Sequence, residues 1–294
     1  MKRISSLLCI TYIAALSFSS CKKDIVEPIS HEEISQQTLA QIKNLGFSTA
    51  DVQKIDEGYL VEKDIILTPA DLATKSSSPN MLIANEEQYR TNNLVNASAN
   101  PVIKIALTFG STSSGGLLGT GLLGSSGGTG SSPYQASFSA ALDEAIRRYN
   151  AENMSIKFQR VTSGAKITVT AYSANSSTLA SAGFPTSYGD PYSQIKVNTY
   201  HFNTSTSTTN INFIGTILAH EIGHCIGLRH TDYMNRAYSC GGTAYNEGSA
   251  NVGAIHIPGT PTAADPNSWM LACIARDVDR PFNANDKIAL NYLY

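Results

Sequence analysis

Three histidines and one glutamate stand close enough in one run to do chemistry: His220-Glu221-Ile-Gly-His224-Cys-Ile-Gly227-Leu-Arg-His230. His220 and His224 are four apart, so on a helix their imidazoles share a face and can hold a single metal ion. Glu221 lies beside the first of them, where a carboxylate serves as general base toward an attacking water rather than as a ligand. Gly227 falls where that helix must stop and the chain must turn, and glycine accepts the left-handed backbone of such a stop. The turn lets His230 swing back as a third ligand. Three neutral imidazoles leave an ion's charge largely uncompensated and one position open, which is a catalytic arrangement rather than a closed structural one. An ion held there polarises a carbonyl and activates water, while Glu221 carries the proton to a leaving amine. The five-residue core of the run arises by chance in about one chain of this length in a hundred; Gly227 and His230 cut that roughly several hundredfold.

The elements that must position these groups can be read around them. A long helix from about residue 210 to 227 carries the run, and Ile211, Ile214, Leu218, Ile222 and Cys225 form its apolar stripe. His220 and His224 then fall on the opposite side, toward a cleft. Upstream, an apolar strand is expected over 102–109 and an amphipathic helix over 133–150, with Phe138, Ala141, Leu142, Ala145 and Tyr149 on one side. Extended segments follow at 155–161, 166–171 and 194–200. Residues 110–132 are rich in Gly, Ser, Thr and Leu and read as a flexible surface loop. Some fifty residues of little regular structure follow the histidines. A helix over 283–294 closes the chain, with Asp286 near its start and Ile288, Ala289, Tyr292 and Leu293 as its apolar side.

The 294 residues are 42% hydrophobic and 15% charged, a globular composition able to bury a core. Met1-Lys-Arg followed by an uncharged, mainly apolar run to Phe18 reads as a signal peptide over 1–20, too short to remain as a membrane span. Without Lys2 and Arg3 the basic count falls from 21 to 19 against 23 acidic residues, a formal charge of −4. No basic face for nucleic acid is expected. Ser19-Ser20-Cys21 resembles a bacterial lipoprotein cleavage site, with Phe18 where Leu is commoner; it implies a lipid on Cys21 and a tether over 21–30. Ordinary cleavage nearby, leaving a secreted soluble protein, is the alternative. Cys225, Cys240 and Cys273 then remain in a compartment that permits disulfides. One bridge and one free thiol is the simplest arithmetic; we take Cys240 with Cys273, although spacing alone does not choose the pair.

Residues 31–85 read as a small α+β piece. It has a helix near 33–45 stopped by Gly46, a second short helix from Thr49 and an extended 59–67, and a linker at 75–80 separates it from the main unit over 86–294.

The histidine run resembles that of the metzincin metallopeptidases, whose pattern ends in a later methionine turn. Ser268-Trp269-Met270 fits that turn, and the resemblance implies Met270 as an apolar floor beneath the imidazoles. The stretches His220-Glu-Ile-Gly-His-Cys-Ile-Gly-Leu-Arg-His-Thr-Asp232 and His256-Ile-Pro-Gly-Thr-Pro are similar to the bacterial dual-action HEIGH metallo-peptidase family. The resemblance implies zinc on His220, His224 and His230, and Asp232 as a buried partner that fixes the turn or the Met270 region. Val61-Glu-Lys-Asp64-Ile-Ile-Leu67 resembles the astacin propeptide segment whose aspartate occupies the zinc, so Asp64 becomes a candidate latency ligand; Lys63 stands where that family has glycine. A small strand packed beside the catalytic unit is the structural alternative. His201 and His256 are not expected to be ligands, though His256 could line the substrate cleft. Tyr233, Tyr245 and Trp269 are candidates for substrate contact.

The expectation is therefore an α/β (α+β) metzincin-like domain with a twisted mixed sheet, active-site helix, Met-turn and C-terminal helix. It would be a monomeric zinc metalloendopeptidase acting on protein or peptide substrates. It would be exported and held by lipid at a bacterial outer membrane or cell surface. Two rivals stand beside it: a surface binding or adhesion module with a structural or inactive zinc site, against which Glu221 argues, and a hydrolase of non-peptide amides.

Overall fold

The computed structural model describes residues 34–45, 47–73, 88–109, 132–247, 253–261 and 264–294, all within the unit Ile34–Tyr294. In chain order its elements are α1 (Gln36–Asn44), β1 (Gln53–Ile55), β2 (Gly58–Val61), β3 (Ile65–Leu67), α2 (Pro69–Leu72), β4 (Tyr89–Arg90), β5 (Val102–Phe109) and α3 (Gln135–Asn150). There follow β6 (Lys157–Arg160), β7 (Ile167–Tyr172), β8 (Ala180–Ser181), β9 (Gln194–Asn198), a 3₁₀ turn (Thr199–His201), α4 (Thr208–Cys225), α5 (Ala237–Cys240), β10 (Ile255–His256) and α6 (Ala284–Leu293). The leader, Cys21, the tether, Gly46, the linker at 75–80 and residues 110–131 of the Gly/Ser-rich loop lie outside the described residues. Among the described residues no helix is long and apolar enough to cross a membrane.

The main sheet runs in the order β6-β5-β7-β9-β8, parallel except for the antiparallel edge strand β8. Alternation along its strands explains its one-sided burial: Ile167, Val169 and Ala171 of β7 point inward, and Ile195 and Val197 of β9 join them. Helix α3 covers that face with Phe138, Ala141, Leu142, Ala145 and Tyr149, all fully buried as the helical spacing requires. Helix α4 packs beside α3 and completes the core.

The N-terminal piece differs from expectation. Thr49 starts no helix; the chain turns at Ala50–Asp51 and enters β1. The stretch 59–67 is not one strand but β2 and β3 folded back on each other, with Val61 opposite Ile65 and a three-residue loop at Glu62–Asp64. Hairpin pairing satisfies the backbone of these short apolar segments, and Ile42, Leu45, Phe47, Val61, Ile65 and Leu67 form a small core of their own. At the other end, Asp286 completes a capping box with Asn283. The buried side of α6 is Asp286, Ala289 and Leu290, while Ile288 and Tyr292 are exposed. The bridge Cys240–Cys273 is formed, and Cys225 is free and buried.

Candidate metal centre

Helix α4 begins where the Ser207 side chain accepts from the Asn210 N–H, and it ends on Gly227 at φ 108. There the N–H of Gly227 donates to the His224 carbonyl and that of Leu228 to the Gly223 carbonyl, closing the last turn. A Cβ at Gly227 would meet the Asn93 carbonyl and Leu94 at 2.8 Å, so both conformation and space demand glycine. The reversal brings His230 back beside the helix. The face opposite the stripe gives on a cavity: α4 is buried from Phe213 to Cys225, with His220 9% and His224 0% exposed, yet His220 and Glu221 line that cavity together with Asp64. Loops and the β2–β3 hairpin cover the face opposite the stripe.

The three rings converge through Nε2. The His224 Nε2 lies 3.0 Å from that of His220 and 3.2 Å from that of His230. Each Nδ1 faces an acceptor: the Trp269 carbonyl at 2.9 Å for His220, the Leu228 carbonyl at 2.8 Å for His224, and both Glu247 oxygens at 2.9 and 3.0 Å for His230. Carbonyls and carboxylates can only accept, so each Nδ1 carries its proton; His220 and His224 turn a bare Nε2 lone pair toward the centre, and the His230 Nε2, which also faces the Asp64 carboxylate, does so when an ion takes the place of its proton. Lone pairs 3 Å apart repel unless a cation sits among them, and this donor set fits one. Burial drives the His220 pKa down to about 4 and that of His224 well below its ordinary value, which keeps both rings neutral.

Glu221 is 3% exposed, and its Oε2 has no hydrogen-bond partner. Burial first, and the nearby Asp64 carboxylate second, push its pKa well above the usual carboxylate range. It borders a cavity of about 330 Å³ walled by Leu179, Ile217, Trp269, Leu271 and Arg280. Beneath the rings, the Met270 carbonyl accepts from the Thr231 N–H at 2.9 Å, and a Cβ on Gly223 would stand 2.6 Å from the Met270 Sδ. Asp232 binds the Ser239 hydroxyl at 2.6 Å and the Ala272 N–H at 2.9 Å, joining the third-histidine loop to the chain just past Met270. Asp286 accepts from the Trp269 N–H at 3.4 Å and from the buried Gln88 side chain, bracing the same turn from the last helix.

Asp64 reaches the centre. Its Oδ2 lies 3.0 Å from His230 Nε2 and 3.8 Å from Arg236 Nη2, so the four groups Asp64, His220, His224 and His230 form one cluster. The hairpin that carries it lies against the edge strand: the Ile66 N–H donates to the Ala182 carbonyl at 2.8 Å and the Ala182 N–H to the Asp64 carbonyl at 2.9 Å. Lys63 takes φ 73, the left-handed conformation that glycine enters without strain.

Of the other candidates, Trp269 walls the cavity beside Glu221 and the rest lie away from it. Tyr233 is 5% exposed and packs edge-on against Tyr89. Trp269 is 1% exposed, and its indole N–H donates to the Ala219 carbonyl at 3.3 Å. His201 bonds the Ser176 carbonyl, His256 stands near Thr260, and Tyr245 lines a separate hollow near Glu62. Sequence reading missed Glu247, Arg236 and Arg229. Arg229 stands inside the histidine run itself, and the only sequence signal for Arg236 and Glu247 is charge in a stretch otherwise rich in Gly, Asn, Ser and Tyr.

Residues 122–294, more than half of the chain and all of this centre except Asp64, match the Dual-action HEIGH metallo-peptidase family. The chain belongs to that family. Among solved structures, the HEIGH-family chain is similar to myroilysin at 21% identity and a TM-score of 0.28, over 48% of this chain and 54% of that one. It thus spans about half the length of that protein. No curated protein matches it.

Proposed function

We propose that this chain is a zinc-dependent endopeptidase, made as an exported lipoprotein on Cys21 and held latent by Asp64. The observation that carries the reading is the convergence of three Nε2 atoms, each ring's Nδ1 facing an acceptor, beside a buried Glu221 whose Oε2 has no partner and which opens on a cavity. Zn²⁺ bound to His220, His224 and His230 would supply Lewis acidity, polarising the scissile carbonyl and lowering the pKa of water. Glu221 receives a proton from the attacking water and delivers it to the leaving amine. Its pKa suits that exchange because burial holds it high, and departure of Asp64 removes the second cause while leaving the first. Met270 and Asp232 hold the turn on which His230 is presented. In the unreleased chain the Asp64 carboxylate takes the place of water, and the strand that follows it covers the sheet edge.

Hydrolysis of a generic protein substrate tests this for the mature chain and for a chain lacking residues 22–85, each with and without chelator. We expect cleavage that is chelator-sensitive, faster in the shortened chain and lost in Glu221→Ala. Cleavage persisting in Glu221→Ala would refute the assigned base; equal rates for the two chains would refute latency. Metabolic labelling with a palmitate analogue, compared with Cys21→Ala, tests the anchor.

A further inference from the structure

The three histidines are oriented in two different ways. His220 and His224 give their Nδ1 protons to main-chain carbonyls, whereas His230 gives its proton to a carboxylate. That carboxylate, Glu247, is 1% exposed and arrives from a stretch seventeen residues downstream. A buried carboxylate is costly unless it is paired. Arg236 Nη1 donates to its Oε1 at 2.5 Å, and Arg229 Nη2 lies 3.6 Å from its Oε2. Arg229 is itself 2% exposed, with Phe47 and Tyr233 rings 5.3 and 5.4 Å from its guanidinium carbon. Two fixed cations thus clamp one anion, and that anion aims at a single ring nitrogen.

We propose that Glu247 is the positioning residue of the centre: its charge on Nδ1 points the His230 Nε2 at the ion and makes that ring the strongest of the three donors. It also supplies negative charge that three neutral imidazoles lack. Outer carboxylates of this kind orient a ligating histidine and raise its basicity. The inference rests on the zinc reading of His220, His224 and His230. A purely structural Glu247, serving only to anchor Arg236, would affect folding but not the affinity of the folded protein for metal.

The test is zinc affinity of the full mature chain, measured by competition with a chromogenic chelator. Glu247→Gln should bind zinc about 10- to 100-fold more weakly than the parent chain. Glu247→Asp should recover part of the loss, and the visible bands of the Co²⁺-loaded protein should shift in Glu247→Gln. An affinity within about twofold of the parent, at unchanged fold, would overturn the assignment. If the variants fail to fold, nitrogen NMR of the zinc-loaded parent decides. The His230 Nδ1 proton should resonate downfield of those of His220 and His224; metal on Nδ1, or no such difference, overturns the proposal. A parent chain that binds no zinc would remove the zinc reading itself, an outcome distinct from zinc bound equally well without Glu247.

Discussion

Asp64→Ala in the otherwise complete chain isolates the contact on which the proposed latency depends. The carboxylate lies 3.0 Å from His230 Nε2 and 3.8 Å from Arg236 Nη2 and is 8% exposed, so its loss removes a buried bond to the proposed ion and the pairing with Arg236. Such a bond contributes about 1.5–3 kcal/mol. At 1.4 kcal/mol per factor of ten, the open fraction of the uncut chain should rise about 10- to 150-fold. The remaining anchors stay: the two backbone bonds to Ala182, and Phe47 and Glu62 against Arg229. The variant should therefore cleave faster than the parent but more slowly than a chain lacking the segment. Lys63→Gly should act in the opposite sense. Removing the left-handed strain at φ 73 favours closure by about 1 kcal/mol and lowers leakage roughly fivefold. The assay is the initial rate on a quenched fluorescent peptide, with mass spectrometry confirming that the chain is intact and zinc content matched. An unchanged rate in intact, zinc-loaded Asp64→Ala would refute the reasoning.

Gly223→Ala would be expected to stabilise α4 by about 1 kcal/mol on helix propensity alone. The new Cβ would stand 2.6 Å from the Met270 Sδ, however, and overpacking of that kind costs about 1–3 kcal/mol, so net destabilisation in a thermal melt is expected. A stabilised variant would mean that Met270 does not form a rigid floor. Burial raises the Asp286 pKa to about 6 from 3.8, despite hydrogen bonds from Asn283, Ser268, Gln88 and Trp269. Because the folded value lies above the unfolded one, ionisation costs stability at pH above 6 and nothing below 4. The parent should gain up to ~3 kcal/mol relative to Asp286→Asn as pH falls from 6 to 4. Denaturant midpoints across that range measure it, and a difference independent of pH would contradict a buried, protonated Asp286.

What was legible in the sequence is local. The α4 periodicity, the Gly227 stop and the place of Asp286 near the start of the last helix each depend on neighbours within a turn or two, and each appears where the pattern puts it. The same periodicity set the histidine face toward the cavity but not how far loops close over it, because a helix pattern shows which side is apolar and nothing of what later covers the other. Glu247 was out of reach for a related reason: its role is fixed by a contact across seventeen residues of irregular chain, which no periodicity records. The hairpin at 62–64 is the more instructive failure. Its turn contains no Gly, Pro or Asn, and Glu62 and Lys63 both sit at positive φ, conformations that side chains such as theirs adopt only when other contacts impose them. Three sets of contacts impose them here. The Ser48 N–H binds the Glu62 carboxylate at 3.2 Å, Ala182 pairs with Asp64 and Ile66, and Asp64 is held against His230. Backbone strain survives where surrounding structure over-determines it, and it gathers at sites that are meant to change state. The break in local rule thus falls on the residues beside Asp64, which fit closely against the histidines and on which the proposed latency turns.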